Sequence, residues 1–268
     1  MIRLQDVSLR FPGGVTALHP LSIDFHCGDF TVLLGSSGAG KSSLMRCLNL
    51  LHRPTTGMIT VQGIGRLNNP KMVRAHRRRT AMIFQQHHLI GRHTAWKNVL
   101  MGRLGHHSTL RSLFPMPRRD QFLALECLER VGLLDKAMER ADNLSGGEQQ
   151  RVGIARALAQ QPDLILADEP VASLDPATSH KILSLLKDIC VKDGITAIVS
   201  LHQVELAQTY ADHIIALAGG RVVFNGPPTD LTPDGLTSIY QSGVPLPQDN
   251  SHAYPALWGP LNLAVMED

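Results

Sequence analysis

The apolar run Phe30–Leu34 breaks directly into Gly35-Ser36-Ser37-Gly38-Ala39-Gly40-Lys41-Ser42, and Lys41–Leu51 then follows with helical spacing. Four apolar residues around Thr31, without alternation, suit a strand covered on both faces. Such a strand needs helices over it, which points to a mostly parallel α/β sheet. The loop fits G-x-x-x-x-G-K-[ST]. Gly35, Gly38 and Gly40 let the backbone curl so that N–H groups face phosphates, while Lys41 reaches the β/γ-phosphates. The Ser42 hydroxyl would bind Mg²⁺. Ser36, Ser37 and Ala39 complete the cradle, and Ser43 follows it. The competing reading is an ordinary glycine-rich turn, and the flanking strand and helix argue against it.

The rest of the chain extends this pattern. Ile2–Leu9 and Leu21–Phe25 alternate like antiparallel strands. Met58–Gln62 and Thr80–Phe84 read as further strands, and Thr94 to Gln160 reads as helical. Leu164–Ala167 and Thr196–Ser200 are buried-strand candidates, with a helix from about Pro176 to Lys192 between them. Ile214–Leu217 and Val222–Phe224 flank Gly219-Gly220, a hairpin signal. The helical middle implies an inserted subdomain.

Composition removes several classes. With 268 residues, 43% hydrophobic and 18% charged, the chain is globular rather than disordered. A formal charge of +3 gives no argument for nucleic acid. Cys27, Cys47, Cys127 and Cys190 lack CxxC spacing, so they read as reduced core thiols in a cytosolic protein. Met1–Phe11 lacks the apolar core of a signal peptide. No apolar run approaches the roughly 20 residues of a membrane span, so any spanning falls to another chain.

Two more segments carry chemistry. Leu164–Ala167 ends in Asp168 and Glu169. Asp168 would hold Mg²⁺ directly or through water. Glu169 is placed to orient or deprotonate an attacking water. Alone, the segment reads better as a strand ending in a solvated acidic turn, and the glycine loop before Lys41 reverses that preference. Leu144-Ser145-Gly146-Gly147-Glu148-Gln149-Gln150-Arg151 opens a helix with a hydroxyl and bare N–H groups, a second phosphate grip. Either both grips hold one nucleotide, or each completes a site with another subunit.

A P-loop, LSGGEQQR and LILADEP in that order resemble the ATP-binding subunits of ABC transporters, over about Ile2 to Tyr240. The resemblance implies a P-loop NTPase (RecA-like) α/β core, about 1–85 and 162–242, with an antiparallel β subdomain. A helical subdomain is implied at about 86–161, and a tail at 243–268 lies outside the family core. By resemblance, Gln85 is the glutamine that senses Mg²⁺ and couples to a permease. It is preferred to Gln86 because it directly follows the strand. His202 matches the histidine that contacts the γ-phosphate. Ser173-Leu174-Asp175 matches the loop crossing a dimer interface. Phe11 stands where an aromatic stacks on adenine; its alternative is a core phenylalanine at a strand end. Ser145 and Gly147, beside Gly146, would touch the γ-phosphate held by a second copy of the chain, in an isologous ATP sandwich. Ser43 stands where Thr is usual, and Glu148 where Gln is usual.

Missing membrane helices favour a separate importer subunit, peripheral at the cytoplasmic face of the inner membrane. It would serve an integral permease and, indirectly, a solute-binding protein. Val99–Gly105, Ser108–Phe114, Ala167–Pro176 and Ser200–Glu205 resemble the phosphonate and phosphite importer ATPases. An importer ATPase for another small solute, and a soluble assembly ATPase, are the alternatives. The basic run Arg74–Arg79 reads as a solvated face, or as a contact for anionic headgroups or acidic permease loops. The histidines, His87-His88 and His106-His107 included, read as surface or loop residues. Trp258 and Leu261 give the tail an apolar end that would dock on the body or on a partner.

Overall fold

The computed structural model describes residues 1–86, 88–108 and 114–232. Two sheets organise the described residues. The first is antiparallel, in the order β2-β1-β4-β5, from β1 (Ile2–Arg10), β2 (Thr16–Phe25), β4 (Thr56–Val61) and β5 (Gly65–Arg66). The second has the order β10-β9-β3-β8-β7-β6. It holds β3 (Phe30–Leu34), β6 (Thr80–Ile83), β7 (Leu164–Ala167), β8 (Thr196–Leu201), β9 (His213–Ala218) and β10 (Arg221–Gly226). All its pairs are parallel except β9 with β10.

The parallel strands are largely buried on both faces, in keeping with their mostly apolar composition. Alternate residues of β3 serve two cores. Leu33 packs with α1 (Lys41–Leu48) and the antiparallel sheet. Val32 and Leu34 face a second core shared with α3 (Ala95–Leu100), α4 (Arg118–Arg130), α5 (Gly146–Ala159) and α6 (Pro176–Asp193). Helices α3 to α5 lie in sequence between β6 and β7, which are neighbours in the sheet.

Three elements were not foreseen. One is the short β5, and one is α7 (Val204–Tyr210). The third is α2 (Pro70–Arg78), which lies in the basic stretch read as a solvated face. Asn69 caps α2 by accepting from Met72 N at 3.0 Å, and Pro70 fills the first turn, where no N–H is needed. Its arginines act as staples. Arg77 donates to the Asn49 and Leu50 carbonyls at 3.0 and 2.6 Å, Arg78 to Gly105 O at 3.0 Å, and Arg79 pairs with Asp163 at 2.5 Å. His76 is buried, against the surface assignment, and bonds Leu48 O at 2.8 Å. Burial keeps its ring below the usual imidazole range. Cys27 is exposed, so it is no core thiol, whereas Cys47, Cys127 and Cys190 are buried. The docking expected for Trp258 and Leu261 lies outside the described residues, as does His87. No helix among the described residues is long and apolar enough to cross a membrane.

Candidate functional site

Strand register gathers the motifs. Leu34 lies level with Leu201, Val199 with Ala167, and Ala167 with Ile83. The residues just past these ends are Gly35, His202, Asp168 with Glu169, and Gln85. This is the carboxyl edge of a parallel sheet, where such folds collect ligands.

The loop after β3 is pressed against its neighbours. Gly35 has φ 148°, and a Cβ there would sit 2.3 Å from Leu217 O. Gly40 caps α1 at φ 104°, and its Cβ would lie 2.9 Å from Ala17 O. Only glycine fits both places. Lys41 is buried, and its Nζ donates to Gly35 O at 2.8 Å and Ser36 O at 3.0 Å. Burial lowers the pKa of this ammonium, while Glu169 and Asp168 oppose the shift. The loop carbonyls of Gly35 and Ser36 thus hold the Lys41 ammonium.

Three oxygens meet beside it. Ser42 Oγ donates to Asp168 Oδ1 at 2.9 Å, and Ser200 Oγ donates to the same oxygen at 2.9 Å. Ser200 also accepts from Glu169 N at 2.8 Å. Glu169 has φ 49°, a left-handed conformation that a non-glycine residue adopts only when its surroundings impose it. Its carboxylate contacts His202 Nε2. His202 Nδ1 lies 3.3 Å from Lys41 Nζ and 3.2 Å from Gly35 O. With Nε2–H donating to the carboxylate, the neutral ring offers its Nδ1 lone pair to Lys41; an imidazolium would donate Nδ1–H to Gly35 O. One imidazole therefore bridges the acidic and cationic halves of the site. Hydroxyl and carboxylate oxygens at Ser42 and Asp168 suit a hard divalent cation such as Mg²⁺.

Other expected residues lie apart from this cluster. Among the described residues Gln85 makes no hydrogen bond to it. It lines a groove of about 430 Å³ with Gln86, Leu89, Asp142, Gln149 and Ser173. Phe11 is 36% exposed and meets His52 edge-on at 5.5 Å, so it is not a core residue. Asp175 caps α6, accepting from Thr178 N at 2.9 Å. Ser145 caps α5 in a reciprocal box with Glu148. Ser145 and Gly146 are exposed, and a Cβ on Gly147 would lie 2.9 Å from Thr178 Cγ2. Glu148 accepts from Lys136 Nζ at 2.6 Å and from Ser145 N and Oγ at 2.8 Å. These partners hold its pKa down to about 2.

Sequence reasoning gave no role to Ser200 or Lys136. A serine near the end of the strand TAIVSL, whose only other hydroxyl is that of Thr196 at its start, was the available signal for Ser200. None marked Lys136.

Residues 18–172 match the family described as ABC transporter. The chain is 58% identical over 257 residues to the phosphonates import ATP-binding protein PhnC 3 of Nostoc sp., covering 95% of this chain and 98% of that one. It is 59% identical over 255 residues to the phosphite import ATP-binding protein PxtA of Stutzerimonas stutzeri, covering 95% and 92%. Among solved structures, a dimeric bacterial ABC transporter cassette, MJ0796, superposes with TM-score 0.74 at 33% identity, over 85% of this chain and 99% of that one. The same cassette in a post-hydrolysis state bound to ADP and Pi gives 0.74 as well. With its loop, acidic strand end and capped glycine helix in this arrangement, the chain belongs to the ABC transporter ATP-binding family.

Proposed function

We propose that the chain is the ATP-hydrolysing subunit of an importer for phosphonate or phosphite, working as a pair of copies beneath a separate permease. The observation that carries the ATPase reading is the hydrogen-bonded cluster of Lys41, Ser42, Asp168, Glu169, Ser200 and His202. Identity near 60% to both phosphonate and phosphite import proteins supports the solute class.

Lys41 exchanges its loop carbonyls for β/γ-phosphate oxygens, and the N–H groups from Gly35 to Ser43 cradle the phosphates. Ser42 and Asp168 would hold Mg²⁺, with Gln85 turning toward it in the closed dimer; the ion supplies charge neutralisation on the phosphates. Glu169 takes the proton of the attacking water, and His202 orients that carboxylate and meets the γ-phosphate. Phe11 stacks on adenine. The exposed start of α5, with Ser145, Gly146 and Gly147, closes on the nucleotide of the second copy, and Asp175 lies at that interface. ATP favours the closed pair, and hydrolysis releases it.

A groove of about 680 Å³ between α2 and α5, lined by Arg53, Arg74, Arg77, Arg78, His106 and Arg156, is the proposed permease face. Arg156 donates to His88 O at 2.8 Å, linking this groove to the segment after Gln85. The subunit is peripheral, at the cytoplasmic face of the inner membrane. Its domain spans 1–242, a core of about 1–85 and 162–242 around helices at about 86–161.

Co-purification with a multispanning permease, then ATPase assay of the reconstituted complex with its binding protein, tests this reading. Stimulation by phosphonate or phosphite is expected. Stimulation only by another solute would reassign the cargo. Absence of any permease partner would favour a soluble assembly ATPase.

A further inference from the structure

The start of α5 carries a carboxylate where an anion is to arrive. Ser145 N and Oγ both donate to Glu148 Oε2 at 2.8 Å. The other oxygen, Oε1, takes Lys136 Nζ at 2.6 Å. Lys136 lies in the turn after α4, so its charge comes from outside the helix it serves. A carboxylate in the first turn suits the helix dipole. Yet the proposed function, on which this inference rests, sends a partner-bound phosphate to the same hydroxyl and the same helix end. Two anions then compete for one hydroxyl and one positive helix end. The Glu148 side chain is 17% exposed and that of Lys136 33%, so their mutual attraction is only partly screened.

We propose that Lys136 is a positioning residue for the ATP sandwich: it neutralises Glu148 and weakens that carboxylate's hold on the Ser145 hydroxyl, so that the hydroxyl can exchange it for a γ-phosphate bound by a second copy of the chain. A Gln at position 148 keeps an acceptor for Ser145 N–H but carries no charge. The alternative is a purely structural bridge that fixes α5 to the turn after α4. The two accounts differ in sign. If the bridge is structural, losing either partner is equally harmful. If Lys136 acts through charge, losing Lys136 is harmful only while Glu148 remains.

The test uses full-length protein carrying Glu169→Gln, so that ATP is bound without turnover. ATP-driven dimerisation is followed by sedimentation with Mg²⁺ at low salt in five forms: the parent, Lys136→Met, Lys136→Arg, Glu148→Gln, and Lys136→Met with Glu148→Gln. Lys136→Met is expected to raise the half-maximal ATP concentration about 3- to 10-fold, the scale of a partly exposed charge effect. Lys136→Arg stays at the parent value. Glu148→Gln and the double variant fall at or below it. The Lys136→Met defect shrinks at about 0.5 M salt, where screening is short-ranged. A Glu148→Gln defect as large as that of Lys136→Met, or a double variant no better than Lys136→Met, overturns the proposal. If Lys136→Met does not fold, the Glu148→Gln and double variants carry the same comparison. Dimerisation of the parent with all variants alike overturns this inference alone. A parent that never dimerises overturns the two-copy reading and this inference with it.

Discussion

Ser200 gives the sharpest handle on the site. Its side chain is fully buried and makes two hydrogen bonds, to Asp168 Oδ1 at 2.9 Å and from Glu169 N at 2.8 Å. Ser200→Ala removes both and adds no bulk. Asp168 keeps the Ser42 hydroxyl, so its carboxylate is not orphaned. Glu169 N–H loses its acceptor in a confined place, which costs about 1–3 kcal/mol. The lost bond to an ionised carboxylate adds about 1–2 kcal/mol, near the lower range for charged partners. The total expected is about 2–5 kcal/mol, read as a shift of the urea midpoint at constant slope. The effect on turnover has a separate origin. The Glu169 backbone sits at φ 49°, and the Ser200 hydroxyl is the acceptor that holds its N–H there. Once free, the residue relaxes toward an ordinary conformation and its carboxylate leaves His202. Misplacing the proposed proton acceptor in this way is expected to lower kcat about 10- to 100-fold, with KM for ATP changed far less. Steady-state ATPase kinetics on the purified protein separate these two parameters. A Ser200→Ala protein within about 0.5 kcal/mol of the parent and with unaltered kcat would refute the reasoning, because it would show that the Glu169 backbone is held by something else.

Further outcomes follow from other contacts. Glu169→Gln is expected to bind ATP, accumulate as a dimer on sedimentation, and lose at least about 100-fold in turnover; near-normal hydrolysis would remove Glu169 from its role. Asp120 is buried with Arg103, which donates to its Oδ1 at 3.0 Å, and with His107 at 2.6 Å. Asp120→Ala leaves the guanidinium buried and is expected to cost about 3–5 kcal/mol in urea unfolding, with Arg103→Met in the same chain recovering part of it. Thiol reagents are expected to modify Cys27 at once. Cys47, Cys127 and Cys190, whose pKa values burial raises to about 12, 11 and 12, should react only on unfolding; fast labelling of two or more thiols in the native protein would contradict the packing.

Legibility in the sequence tracks how local each cause is. Phe30–Leu34 and Leu164–Ala167 could be bounded to the residue, because an apolar strand buried on both faces ends abruptly at a glycine or a carboxylate. Helix α2 escaped because its inward face is not a run of aliphatics. It is Met72 and Val73, a buried imidazole, and Arg77, whose partners are carbonyls at the end of α1. Hydrophobic periodicity has no term for that kind of burial. The cluster shows the same division. Lys41, Ser42, Asp168, Glu169 and His202 each announce themselves by a neighbouring glycine loop or strand end. Their meeting depends on the register of β3, β8 and β7, a relation among distant segments. Ser200 belongs wholly to that relation. In isolation it is a small polar residue that weakens an apolar strand. Only when β8 is laid beside β7 does its hydroxyl find both the Asp168 carboxylate and the Glu169 amide. Lys136 is similar: it stands outside the signature segment, before Leu144, and the fold of the turn after α4 brings it to Glu148. Residues proposed to meet the nucleotide carry local motifs, whereas residues that hold those motifs in place are visible only once the sheet is packed.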